Sequence, residues 1–221
     1  MSILTVERKV LEKNDEIASR NRALFARKGL FVLNVVSSPG SGKTSLLERT
    51  FAHLRGKIPL AVVEGDVQTD LDAQRVARFN VPVVQIVTNG GCHLEAQLVE
   101  SALSALSLDA VKLLFIENVG NLVCPSNYDL GEHMKVVVAS TTEGDDKPLK
   151  YPAMFHKASV VIINKIDLVP YINSRPDVLK ANALKVNPSL KVFETSCTTD
   201  AGIPEWCRWL EEQTSLVKPR Q

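Results

Sequence analysis

Residues 30–50 read LFVLNVVSSPGSGKTSLLERT, from Leu30 to Thr50. The first third is an almost unbroken apolar run rich in β-branched residues, the pattern of a strand covered on both faces. The next stretch, SSPGSGKTS at 37–45, carries Gly40, Gly42, Lys43 and Thr44 at the spacing of a phosphate-binding loop. The glycines let the backbone curl into a nest of N–H groups, and the helix that follows points its positive end at the same anion. Gly40, Ser41, Gly42, Lys43, Thr44 and Ser45 are therefore the candidate nucleotide-binding run. Lys43 is also the catalytic candidate, bridging the β- and γ-phosphates, and the Thr44 hydroxyl is the candidate magnesium ligand. One departure stands out: the strict pattern begins with glycine, and Ser37 occupies that place.

Outward from this unit the chain alternates. Apolar runs at 59–64, 81–87, 111–117, 134–140, 159–164 and 190–195 read as further strands, and 43–55, 69–79, 93–106, 174–186 and 202–213 read as helices. The rhythm predicts an α/β fold: a mostly parallel doubly wound sheet flanked by helices, with ligands at the carboxyl ends of the strands. Residues 3–27 form a separate helical pattern, with Ile3/Leu4, Val10/Leu11, Ile17/Ala18 and Leu24/Phe25 recurring every seven residues and Lys28-Gly29 ending it. The expected organisation is an N-terminal helical arm at 1–27 and one P-loop domain at 28–215.

Composition narrows the function classes. The 26 basic residues are answered by 25 acidic ones, giving a net charge of +1, so nothing points to nucleic acid. No apolar run approaches the roughly 20 residues that span a bilayer. Charges at Glu7, Arg8, Lys9 and Glu12 leave no apolar core for a signal peptide. The four cysteines, Cys92, Cys124, Cys197 and Cys207, are expected as thiols or ligands in a reducing cytoplasm rather than as disulfides.

The base is read from Asn164-Lys165-Ile166-Asp167 at the end of the sixth strand. A carboxylate there accepts two hydrogen bonds from guanine, whereas adenine offers no such donor pair. Asp167 is the candidate base reader, Asn164 a brace for the loop and the purine, and the Lys165 stem a cover for the base face. Ser196 and Cys197, in ETSC at 194–197, lie where a loop would back the guanine. Glu117-Asn118-Val119-Gly120 ends the fourth strand as an acidic-x-x-glycine turn: Glu117 to hold magnesium, Gly120 to offer its N–H to the γ-phosphate. Asp66, beside Glu64 at the end of the second strand, is a candidate for magnesium or for positioning water, with helix capping as the competing reading. These features together read as a GTPase, and with no arginine finger or catalytic glutamine identifiable, a slow one.

The stretch NGGCHLEA at 89–96 sets Cys92 beside His93 at an expected helix start, which is either a metal site or a loop carrying two soft side chains. Cys124 lies four residues beyond Gly120, in the segment expected to respond to the γ-phosphate. Cys207, in PEWCRWL, reads as core packing. Asp145, Asp146 and Lys147 fall in a loop after the fifth strand that is either a dimer contact or merely solvated.

Taken in order, SSPGSGKTSLLERT, EGDVQTDLDAQR, NGGCHLEA, ENVGNLVCP, EGDDKPLKYP and NKIDL resemble the HypB family of hydrogenase nickel-incorporation GTPases, in the metallochaperone branch of SIMIBI-class P-loop proteins. The resemblance covers residues 28 to 210. It implies GTP and GDP as ligands with Mg²⁺, and a GTP-dependent homodimer. It also implies a HypA-family nickel chaperone as partner and the [NiFe]-hydrogenase large subunit as recipient. The family's metal residues map onto Cys92, His93 and Cys124, for nickel, with zinc a competing occupant because thiolates bind it tightly. Two thiolates and one imidazole are one short of four ligands, and a two-fold dimer would supply the shortfall. The N-terminal cysteine motif and the histidine-rich tract of many members have no counterpart: the first cysteine is Cys92, and His53, His93, His133 and His156 are dispersed. A urease-type nickel GTPase, a small-molecule kinase and a non-hydrolysing metal module are the alternatives, although urease-type proteins carry CPH where this chain has GCH.

Overall fold

The computed structural model describes residues 6–68 and 71–220. The expected apolar pair Ile3/Leu4 and the expected helix start at 69 fall outside them. Seven strands form one sheet: β1 Phe31–Ser37, β2 Leu60–Asp66, β3 Val83–Val87, β4 Leu113–Glu117, β5 Met134–Ser140, β6 Val160–Asn164 and β7 Lys191–Glu194. All pairings are parallel, in the order β3-β2-β4-β1-β5-β6-β7. Each expected strand is found within two residues of its expected start, because β1, β2, β4, β5 and β6 are buried along nearly their whole length, which favours mostly apolar runs.

The helices are α1 Val6–Lys28, α2 Lys43–Leu54, α3 Leu71–Ala77, α4 Ala96–Leu103, α5 Lys147–Lys150, α6 Pro152–Lys157, α7 Pro176–Val186 and α8 Ile203–Leu216. On one face, Leu46, Phe51, Trp206 and Phe193 share a core. On the other, Phe25 of α1 packs with Val99 and Leu103 of α4 against Val32 and Leu114. Burying one such side chain contributes about 1.5–3 kcal/mol. Among the described side chains of α1 the buried positions are Asn14, Ile17, Ala18, Asn21 and Phe25, so two asparagines fill the seam between the apolar repeats.

Two local expectations fail. The helix expected from 93 begins only at Ala96, so Cys92 and His93 lie in a bend. The amide of Leu94 donates to Asn118 Oδ1 at 3.0 Å, which holds this segment extended before a helix can start. The stretch after β5 is only in part a loop: a 3₁₀ turn at Thr141–Glu143 precedes a turn holding Asp145 and Asp146, α5 begins at Lys147, and Asp145 accepts bonds from Ser174 Oγ (2.8 Å) and Arg175 N (2.9 Å). Among the described residues no helix is long and apolar enough to cross a membrane.

Candidate functional site

The phosphate loop leaves the carboxyl end of β1, the central strand. Gly40 and Gly42 take φ of 74° and 96°, which L side chains rarely adopt. At Gly42 a Cβ would also lie 2.5 Å from Asn164 Nδ2. Ser37 needs no such freedom, because it is the last residue of β1. Its hydroxyl instead accepts Lys43 Nζ at 3.0 Å, so the serine that breaks the strict pattern parks the loop's cation. The Ser41 hydroxyl bonds Ser38 O at 2.8 Å and also meets Glu143, and Ser45 Oγ accepts from Arg75 at 3.2 Å.

Beneath the loop sits an acidic pair. Glu64 and Glu117 are register partners on β2 and β4, and both are buried. Glu117 Oε1 accepts the Thr44 hydroxyl at 2.9 Å and lies 3.9 Å from Lys43 Nζ. Burial, reinforced by the charge of Glu117, pushes Glu64 up to about 11. Burial also raises Glu117, against the pull of Lys43. Glu64 Oε1 and Glu117 Oε2 are buried with no hydrogen-bond partner among the described residues. The Thr44 hydroxyl beside the Glu117 side chain is an oxygen pair that suits a hard divalent cation such as Mg²⁺. Lys43, Thr44, Ser45, Asp66, Glu117, Gly120 and Lys165 line one cleft of about 500 Å³. Gly120 closes on the phosphate loop so tightly that a Cβ there would come 3.1 Å from Pro39.

The lining stops at Lys165, short of the expected base reader. Asn164 is buried: Nδ2 donates to Ser41 O (3.0 Å), while Oδ1 accepts from Thr195 Oγ1 (3.1 Å) and Cys197 Sγ (3.5 Å). It ties the phosphate loop to the 194–197 segment, and one of the two N–H groups of its amide donates to Ser41 O. Lys165, at φ 64°, donates to Gly40 O at 2.6 Å. Asp167 lies in the 3₁₀ segment Ile166–Tyr171, near enough to Cys197 for its charge to raise that thiol, though burial raises it more. The Ser196 hydroxyl accepts the amides of Thr198 (3.2 Å) and Thr199 (3.1 Å), so it shapes its own turn.

The second cluster forms where the loops after β3 and β4 meet. One ligand atom each from Cys92, His93 and Cys124 lies within 4.8 Å of the others. Cys92 Sγ is 3.5 Å from His93 Nδ1. His93 Nε2 is buried without a hydrogen-bond partner among the described residues, and the ring rests on Tyr128 with centroids 3.9 Å apart. The Cys92 thiol is pushed up by the Cys124 sulfur and by burial, and burial lowers His93. Two sulfurs and a ring nitrogen are soft to borderline ligands, suited to nickel or zinc rather than magnesium. Cys207 is 3% exposed inside the core, where burial first and then the Glu211 charge push its thiol up to about 12; it takes no part in the cluster.

With these two sites in place, the chain can be set beside known proteins. The family described as "CobW/HypB/UreG, nucleotide-binding domain" matches residues 31–194. Hydrogenase maturation factor HypB of Escherichia coli K12 is 51% identical over 211 residues, covering 96% of this chain and 73% of that protein. This chain belongs to the HypB family of hydrogenase maturation factors. A HypB protein from Methanocaldococcus jannaschii, named as probable, is 38% identical and matches 99% of both chains. The crystal structure of HypB from Helicobacter pylori in complex with nickel superposes with a TM-score of 0.88 at 40% identity, covering 95% of this chain and 99% of that one.

The structure also places at or beside the two sites three residues to which the sequence reading assigned no role. Glu64 becomes visible as a partner of Glu117 only once β2 pairs with β4. Arg75 lines the cleft, with its guanidinium held by Glu48 (2.6 and 2.9 Å) and Asp72 (3.2 Å). Asn118, inside the acidic-x-x-glycine turn, has its carboxamide between the two sites. All three lie inside the quoted motifs, but their partners on other elements (Glu117, Glu48 and Leu94) become visible only in the fold.

Proposed function

We propose that this chain is a GTP-hydrolysing nickel metallochaperone serving [NiFe]-hydrogenase. In this reading it binds GTP with Mg²⁺ and dimerises with GTP bound. It receives or exchanges nickel with a HypA-family partner, delivers it toward the hydrogenase large subunit, and works in the cytoplasm, where thiols stay reduced. The observation that carries the reading is the convergence of Cys92, His93 and Cys124 at the mouth of the same turn that holds Glu117 and Gly120. Nickel is cargo here; zinc competes for the same sulfurs.

In the cleft, Lys43 exchanges Ser37 Oγ for the β- and γ-phosphates, and Gly120 offers its N–H to the γ-phosphate. Thr44 and Glu117 would hold Mg²⁺, which when bound would supply charge neutralisation at the phosphates. Asp66 aligns the attacking water. Asp167 reads the guanine edge, backed by the 194–197 loop. Turnover is slow in the isolated protein, since Arg75 is already committed to Glu48 and Asp72. Because Cys124 follows Gly120 closely, nucleotide state and metal affinity are linked, and the linkage is reciprocal.

The test is nickel stoichiometry and dimer mass with GDP and with a non-hydrolysable GTP analogue, for wild type, Cys92→Ala and Cys124→Ala. Both substitutions are expected to abolish stoichiometric nickel binding. Unchanged binding in both variants and both nucleotide states refutes the chaperone reading.

A further inference from the structure

The two ligand-bearing loops are pinned at their far ends. Asn14 Oδ1 accepts the amide of Ala96 at 2.9 Å, while its Nδ2 donates to Asp129 O at 2.8 Å. Asn21 Nδ2 donates to Ala96 O (3.0 Å) and Leu130 O (3.1 Å). Lys135 Nζ donates to Pro125 O (3.0 Å) and Tyr128 O (3.1 Å). All three side chains are buried, so each bond lost there leaves a buried polar group short of a partner. Movement at the far ends is therefore costly, and any adjustment is confined to the near ends.

The near ends share one atom. Asn118 Oδ1 accepts the amide of Leu94 at 3.0 Å and the amide of Val119 at 3.0 Å. Leu94 directly follows His93, and Val119 directly precedes Gly120. The carboxamide is fixed from behind: Asn118 Nδ2 donates to Asn34 Oδ1 at 3.2 Å, and its backbone N–H donates to Val35 O at 2.9 Å. The residue is 1% exposed. Leu94 also packs over Gly65, between Glu64 and Asp66. One acceptor oxygen thus ties the loop of Cys92 and His93 to the turn that meets the phosphate loop.

We infer that Asn118 is the positioning residue that couples the two sites: reorientation of the Val119–Gly120 turn toward a γ-phosphate changes its bond to Leu94 and so moves His93 and Cys92 relative to Cys124. The inference rests on the proposed reading that these three residues hold metal in a nucleotide-dependent way. It adds a route to the Cys92–His93 loop, which the chain connection from Gly120 to Cys124 does not reach.

The experiment is a nickel titration of the full chain, read by thiolate-to-metal absorption, with Mg²⁺ and either GDP or a non-hydrolysable GTP analogue. The quantity of interest is the ratio of the two nickel affinities. Wild type is expected to show a ratio of at least about fivefold. In Asn118→Ala and in Asn118→Ser, whose hydroxyl is too short to serve both amides, the ratio falls to within about twofold of unity. A purely structural role would weaken binding equally with both nucleotides and leave the ratio alone. A wild-type ratio retained in the alanine and serine variants overturns the assignment. A wild-type ratio of one, with nickel binding still dependent on Cys92 and Cys124, overturns the linkage and this assignment with it. Nickel binding that survives loss of both cysteines overturns the site reading itself.

Discussion

The phosphate cleft takes Gly40, Gly42, Lys43 and Thr44 from one uninterrupted stretch, whereas the sulfur cluster gathers Cys92, His93 and Cys124 from loops after two different strands. The first is organised by local geometry: a strand end, two left-handed glycines and a helix start. The second exists only because β3 and β4 lie on the same side of β1 and because α1 and Lys135 hold the loops together. Damage to the cleft should therefore come from changing residues inside its motif. Damage to the cluster should also come from residues far away in sequence that touch no metal.

The largest effect is expected for Lys43→Ala, which removes the cation facing the phosphates. Its GTP turnover should drop about 10²–10³-fold, the scale of losing one transition-state donor, measured by phosphate release. Asp167→Asn should lower the preference for GTP over ATP about 100-fold in competition binding, since a site built to pair with a donor edge loses its discrimination when the acceptor goes. Retained selectivity there would move the base reader elsewhere. Lys135→Met sharpens the contrast most directly. Nickel affinity is expected to fall at least about 10-fold, the usual scale for residues that orient ligands. GDP affinity, followed by fluorescent-nucleotide binding, should stay nearly constant, and Lys135→Arg should recover part of the nickel loss.

Smaller effects concern stability. Asn21→Ala removes the buried bonds to the carbonyls of Ala96 and Leu130 and should cost about 1–3 kcal/mol in urea unfolding. Cys207→Ala, in the core beside Trp206, should cost about 1 kcal/mol and leave nickel stoichiometry intact. A change of stoichiometry in that variant would mean that the cluster is not the only thiol site for the metal.

Legibility follows the same division. The strands can be read because burial on both faces demands continuous apolar runs, and the phosphate loop because its glycines answer a backbone requirement. The helix start expected at 93 is absent because the apolar spacing of Leu94, Leu98 and Val99 continues through a segment that Asn118 holds extended. The polar seam of α1 carries no local signal. Asn14 and Asn21 interrupt the apolar heptads, and their role depends on backbone groups at Ala96, Asp129 and Leu130 that no local pattern brings near.

The amino-acid sequence by itself determined the α/β class, the phosphate loop and the identity of the soft side chains available to a metal. Each of these rests on spacing within a few residues or on the hydropathy of a single element. Tertiary structure alone decided that Glu64 abuts Glu117, that Cys92 and Cys124 come within reach of one metal, and that one oxygen of Asn118 serves both loops. The physical reason is that strand order and helix docking set those distances, and both are consequences of burying the whole core at once.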